Sequence, residues 1–328
     1  MDYDFSEDVA KIWPALMYIG GFLVVVGALL FVLDFLPRWG KHKERLQAMG
    51  FLGPALVLLG LGLVYPLVRT VYLSFFDADS KAFVGVENYS WIFTNDDTLL
   101  MLRNTLFWVV CVPLLSTGFG LLYAVLVDRA RGEVVSKSLI FMPMAISLVG
   151  ASIIWKFIYA YRDPKVEQIG LLNQILVWMG FEPQQFLSTS PWNTFFMIVM
   201  MIWIQAGFAM VILSAAIKAI PAEIVEAAKL DGANPWQMFW RVTMPSIRPA
   251  VVVVTVTVTI ATLKVFDIVR TSTGGQFKSS VLAFEMYTQA FRSYDDGKGS
   301  ALAVLLFVLV IPVVVYQARQ LRHRTESR

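Results

Sequence analysis

The chain is 328 residues long, 57% hydrophobic and only 16% charged, with a mean hydropathy of +0.65, against about 25% charged residues in soluble domains. That balance excludes a soluble enzyme, a disordered chain and a nucleic-acid binder. A net charge of +3 makes the placement of the charges more informative than their sum, and a lone cysteine, Cys111, permits neither an internal disulfide nor a cysteine-based metal site.

A membrane span needs about 20 mostly apolar residues to cross a hydrocarbon core about 30 Å thick. Seven stretches meet that length, approximately 15–36, 52–76, 106–127, 139–159, 194–217, 251–269 and 301–316. Lipid offers no partner to backbone N–H and C=O groups, so each is expected to be helical, including the Val/Thr-rich run 251–259 that would favour strand in water. The segment preceding the first span is acidic (Asp2, Asp4, Glu7, Asp8), so this span reads as a retained anchor and not as a signal peptide. The basic segment 38–49 reads as an interfacial helix. Met142-Pro143-Met144 is expected to kink or start the fourth span, and Trp91, Trp178 and Trp192 to form an interfacial belt.

Loop charges orient the chain. Loops 37–50, 128–138, 218–249 and 318–328 hold 15 lysines and arginines; the alternate set, comprising the N-terminus, 77–103, 160–193 and 270–300, holds 9, with 15 acids against 7 in the first set. The first set is expected to be cytoplasmic, with the N-terminus outside and the C-terminus inside. Catalytic chemistry is not expected. His42 and His323 both lie in basic segments, no phosphate-cradling G-x-x-x-x-G-K-[ST] occurs, and Thr273-Gly274-Gly275-Gln276 reads as a turn on the outer face.

The informative segment is the loop between the fifth and sixth spans. Pro221 suits the first turn of a helix, Glu223 its positive end, and Ile224, Ala227 and Ala228 one apolar face. Gly232 is expected to end that helix. Asn234 and Pro235 look like the cap and first residue of a second helix whose apolar face is Trp236, Phe239 and Trp240, and Pro245 is expected to stop it. Such a face needs cover, from either the membrane surface or a partner groove.

The sequence Glu226-Ala227-Ala228, then Gly232, then nine residues to Val242 and Met244-Pro245 resembles the loop shared by permease subunits of bacterial binding-protein-dependent ABC importers. Val stands for the usual Ile and Met for the usual Leu. Asp231 and Pro235 fit the sugar-importer branch, and the wider likeness, over 52–319, is to the larger permease of oligosaccharide importers of the maltose and alpha-glucoside type. The resemblance implies an all-α integral membrane protein of about seven transmembrane helices. Residues 1–50 would supply an extra helix and the basic segment. Residues 51–328 would form a six-helix type I importer permease domain with coupling loop 218–249. It also implies a non-catalytic subunit in the bacterial inner membrane, with no cofactor of its own. ATP and Mg would bind two partner ATPase subunits, and a second permease subunit and an extracytoplasmic sugar-binding protein would complete the complex. The loop residues Glu226, Ala227, Ala228, Asp231, Gly232 and Pro245 would dock the ATPase, Glu226 pairing with a basic residue there.

Polar groups inside spans are costly and mark candidate pathways. Span five offers Gln205 and Phe208. Span six offers Thr257, Lys264 and Asp267, the last two spaced i, i+3 so that they would share a helix face and pair. Matching Trp203, Lys218 and Gly274-Gly275 to maltose-type permeases adds Ala261 and Phe266 to the expected sugar pathway. The plainer reading of the threonines and Gln205 is hydrogen bonding between helices. A Lys264/Asp267 coupling pair in a self-sufficient secondary transporter is the rival from another class.

Overall fold

The computed structural model describes residues 52–128 and 131–326, together with parts of 13–31. The expected first span, 15–36, lies largely outside the described residues, and the expected interfacial segment 38–49 lies wholly outside them. The chain divides into two compact units, 1–69 and 70–328. Helix α1, Leu52–Leu73, crosses that division and has no buried residue in its apolar window. A π turn runs through Gly60–Val64.

The second unit is built from helices. In chain order they are α2 (Glu87–Thr94), α3 (Asp96–Val127), α4 (Glu133–Phe141), α5 (Leu148–Ile158), α6 (Leu171–Trp178) and α7 (Trp192–Lys218). There follow α8 (Ala222–Leu230), α9 (Pro235–Leu263), α10 (Asp267–Ser272), α11 (Leu282–Phe291) and α12 (Asp296–Glu326). A single bridge, Phe76 to Phe83, is the sole extended pairing among the described residues. Among the described residues, five helices are long and apolar enough to cross a membrane: α1, α3, α7, α9 and the Asp296–Arg319 part of α12. The bent pair Glu133–Ala145 and Leu148–Ile158 makes a sixth if it counts as one span.

Helix α7 is the axis of the unit. Met197, Ile198, Met200, Met201, Met210 and Leu213 are buried in one apolar cluster with Trp108 and Val112 of α3, Val254 and Val258 of α9 and Ile268 of α10. Two glycines set the spacing of its neighbours. A Cβ on Gly120 would come within 2.8 Å of the Met210 nitrogen, and one on Gly207 within 2.5 Å of the Ile140 carbonyl oxygen. The backbones of α3 and of α4 therefore approach α7 as closely as glycine allows, a recurrent way of packing helices where small residues replace side-chain bulk. A smaller cluster of Ile92, Met101, Leu282, Ala301 and Leu302 ties α2, α3, α11 and α12 together.

The helix expectation for the Val/Thr run holds, and the threonines explain how. Thr255, Thr257, Thr259 and Thr262 each donate their hydroxyl to the carbonyl four residues back at 2.7–2.8 Å, which satisfies these groups within the helix itself. Thr255 also meets Thr117 of α3 at 3.3 Å.

Three spans differ most from the sequence reading. Span three starts at Asp96, because Asn95 caps the helix by accepting from the Asp97 and Thr98 nitrogens at 3.0 and 3.3 Å and two acids occupy its positive end. Span four is broken: a 3₁₀ turn at Met142–Ala145 and a new cap, Ser147 accepting from the Gly150 nitrogen at 3.0 Å, bend the chain by 104°. Span six starts at Pro235 and ends at Leu263, so Val265 and Phe266 fall in a break before α10. Among the tryptophans, Trp178 and Trp192 are exposed, but Trp91 packs against the smaller cluster beneath Lys298, whose ammonium lies 5.1 Å from its ring.

Candidate functional site

The loop between α7 and α9 is built by local rules. Pro221 stands just before the first turn, as the N-cap of α8, and Glu223 lies within that turn. The helix ends in a Schellman motif. Gly232, at φ +78°, donates to the Lys229 carbonyl, and Ala233 to that of Ala228, both at 3.0 Å. Two residues later Asn234 opens α9 with a reciprocal capping box. Its side chain accepts from the Gln237 nitrogen at 2.8 Å, and the Gln237 side chain accepts from the Asn234 nitrogen at 3.0 Å.

Pro245 does not stop the second helix, contrary to expectation. A π turn at Phe239–Thr243 precedes it and the helix runs on through Pro235–Leu263. A proline clashes with the carbonyl four residues back and removes one hydrogen bond; the wider π turn next to it is where the helix accommodates that change. The loop's second arm is thus the start of a membrane-length helix.

Both arms are largely exposed. Glu226, Ala227, Asp231 and Gly232 are exposed and Ala228 is half-buried. Beside them Leu230 is 90% exposed and Trp236 71% exposed. Trp236 meets Trp240 edge-on at 5.7 Å, and Phe239 meets Trp240 at 5.0 Å. This surface offers a carboxylate, a small-residue knob and an aromatic pair, which together suit a protein groove carrying a cation. Behind it lies a crevice of about 360 Å³, walled by Asp128, Lys229, Ala233, Met238 and Phe239 among others.

At the root of the loop sits a charge cluster that the sequence reading passed over as loop charge. Lys137 lies 2.6 Å from Glu133 and 3.3 Å from Asp128, and also meets the Ser214 hydroxyl. Lys218 pairs with Glu133 and lies 3.5 Å from Asp128. Of these contacts only the Glu133–Lys137 spacing, i, i+4, was visible in the sequence; Lys137 and Asp128 are nine positions apart across a loop, and the contacts of Ser214 and Lys218 join residues 77–90 positions apart.

The pathway candidates fall in separate places. Gln205 and Phe208 are half-buried on α7; Phe208 packs against the main core, and the Gln205 amide has no protein partner among the described residues. Thr257 is exposed, with its hydroxyl turned to the Val253 carbonyl. Lys264 and Asp267 do not share a helix face. Lys264 is the C-cap of α9 and Asp267 opens α10, and no ion pair joins them among the described residues. Lys264 and Phe266 instead line a largely apolar cavity of about 500 Å³ with Tyr287, Met286 and Phe307. The Arg270 guanidinium lies 4.8 Å from the Tyr287 ring and 5.4 Å from the Phe266 ring. Gln205, Phe208, Thr257 and Asp267 are not among the residues lining that cavity. Arg270 and Tyr287 were missed because the aromatic box assembles only when α11 folds against the break after α9.

Comparison with known proteins gives a consistent picture. Residues 116–325 match a family model described as binding-protein-dependent transport system inner membrane component. The chain is 50% identical over 270 residues to the alpha-glucoside transport system permease protein AglF of Rhizobium meliloti, covering 82% of this chain and 80% of the relative. It is 49% identical over 278 residues to the osmoprotective compounds uptake permease protein GgtC of Synechocystis sp., covering 85% of this chain and 100% of the relative. Its fold resembles a chain in the crystal structure of a bacterial ABC transporter that imports the acidic polysaccharide alginate. The TM-score is 0.74 at 22% identity, with 87% of this chain and 98% of that chain covered.

Proposed function

The chain belongs to the family of inner membrane components of binding-protein-dependent transport systems, and from that premise we propose that it is the permease subunit through which a di- or oligosaccharide, such as an alpha-glucoside, enters the cell. The observation that carries the coupling half of this reading is the two-arm loop, in which Glu226, Ala227 and Gly232 are exposed, Ala228 is half-buried and Trp236 is uncovered. A cleft on a cytoplasmic ATPase subunit is the cover proposed for it. The alpha-glucoside permease at 50% identity supports the choice of sugar class.

In this reading the complex contains a second permease subunit, two ATPase subunits carrying ATP and Mg, and an extracytoplasmic sugar-binding protein received by the outer loops. The N-terminus lies outside and the C-terminus in the cytoplasm, as the lysine and arginine distribution favours. The chain itself hydrolyses nothing: it is a two-state bundle whose equilibrium is biased by ATP on one side and by the loaded binding protein on the other. Lys264 and Phe266 are proposed to contribute the cation and ring of a sugar-contacting wall, with Gln205 and Phe208 on a separate stretch of the route. The secondary-transporter reading loses its premise, because Lys264 and Asp267 lie on different helices with no ion pair between them.

The test is affinity purification of the tagged chain in mild detergent. An ATPase and a second permease are expected to co-purify with the native chain, and the ATPase to be lost from Glu226→Lys while the second permease is kept. A native chain that purifies without any ATPase, under conditions that preserve other membrane complexes, would overturn the reading.

A further inference from the structure

We infer that Asp128, Glu133, Lys137, Ser214 and Lys218 form an ion-paired brace that positions the docking loop on the membrane helices. Movement of the loop then reaches α3 and the broken span together. The brace goes beyond the docking surface itself, and its role in transport rests on the importer reading above.

The brace joins three helix ends. Asp128 caps the C-terminus of α3, Glu133 is the first residue of α4 with Lys137 one turn on, and Ser214 and Lys218 stand in the last turn of α7. Lys137 lies 2.6 Å from Glu133 and 3.3 Å from Asp128, Lys218 pairs with Glu133 and lies 3.5 Å from Asp128, and the Ser214 hydroxyl donates to Asp128 at 3.4 Å. Two carboxylates are thus shared by two ammonium groups. The Asp128 side chain is only 9% exposed, and enclosing a carboxylate is costly unless it is paired and hydrogen-bonded. Each end also suits its helix: an acid opens α4 and a lysine closes α7.

Position gives the cluster its role. Lys218 is followed by only Ala219, Ile220 and Pro221 before α8 begins, so whatever holds Lys218 holds the root of the loop. Asp128 also walls the crevice behind the loop, opposite Lys229 of α8 and Phe239 of α9. At its other end α4 reaches the bend of span four, where the Ile140 carbonyl sits against Gly207 of α7. The brace below and this glycine contact above fasten α4 to α7 at two points, so the segment moves with the loop root.

Isolated surface ion pairs contribute little, but a network sharing its acceptors is a different case. We would purify the complex with its partner subunits and measure hydrogen exchange of residues 219–232 in nanodiscs. In proteoliposomes we would measure uptake of radiolabelled maltose and trehalose per ATP hydrolysed. Lys218→Met and Glu133→Gln are expected to speed exchange of this segment by up to about fivefold, the upper end of what one ion pair contributes, and to lower sugar moved per ATP. Lys218→Arg keeps a cation between the two carboxylates and is expected to leave both near native. Exchange unchanged in Lys218→Met and Glu133→Gln, exchange raised as much by Lys218→Arg, or an unaltered sugar-to-ATP ratio would each overturn the brace. Were the native complex to move neither sugar on ATP while exchange responded as expected, the sugar reading would fall and the brace would stand as a positioning element.

Discussion

Gly232 and Gly207 show two different reasons for a glycine. At Gly232 the backbone sits at φ +78° with open space around the missing Cβ. Alanine there meets no clash and costs only the left-handed backbone penalty, about 1 kcal/mol. Gly232→Ala is therefore expected to leave the thermal stability of the membrane unit close to native while weakening retention of the ATPase about fivefold, read by titrating detergent-solubilised complex with the purified ATPase. Gly207 has an ordinary helical backbone, but a Cβ there would reach 2.5 Å from the Ile140 carbonyl oxygen and 3.0 Å from the Phe141 Cα. Gly207→Ala must push α4 off α7, and a loss of about 1–3 kcal/mol is expected from such overpacking, seen as a lowered Tm of the purified chain. The first glycine was legible in the sequence because its neighbours Asp231, Asn234 and Pro235 spell a helix end and a helix start. The second was not, because the backbone it must admit comes from residues about 65 positions away, and nothing local marks it.

At the scale of the element, the loop and its flanks separate what local chemistry decides from what packing decides. The end of α8 and the start of α9 were readable because caps are written in adjacent residues. Asn234→Ala removes one half of the capping box and is expected to cost about 1 kcal/mol, measured as faster amide exchange at Gln237 and Met238 with the interior of α9 unchanged. Prolines were read less well. Pro245 was expected to end a helix and instead follows a π turn within one, while Pro143 does take part in a break. The residue alone carries no distinction between the two. What separates them is that Ser147 offers the chain a fresh cap after Pro143, whereas after Pro245 the Ser246 hydroxyl bonds back to the Val242 carbonyl and the helix continues into the Val/Thr run from Val251. The same reasoning accounts for Lys264 and Asp267. Their i, i+3 spacing means a shared face only on a continuous helix, and α9 ends at Leu263.

For the whole membrane unit, burial separates the packed helices from the lipid-facing ones, and loop charge gives the expected orientation. Helix α7 is enclosed on most sides, with over half of its apolar window buried, while α3 and α9 bury a third of theirs and the α12 window less. The remaining apolar surface belongs to lipid and to the partner subunits, so the two polar ends of the bundle are what an aqueous probe can reach. One end carries the turn at Ser80, whose hydroxyl donates to Asp296 at 3.0 Å, and the other carries α8 with exposed Glu223. The loop charges assign the Ser80 end to the outside. In a Cys111→Ser background, Ser80→Cys is expected to react with a membrane-impermeant maleimide in intact spheroplasts. Glu223→Cys is expected to react only after the membrane is opened, because the loop charges favour the cytoplasmic side for α8. Reaction of Glu223→Cys in sealed spheroplasts, with Ser80→Cys protected, would invert the chain. It would remove the docking loop from the cytoplasm and with it any route by which ATP hydrolysis could act on the bundle.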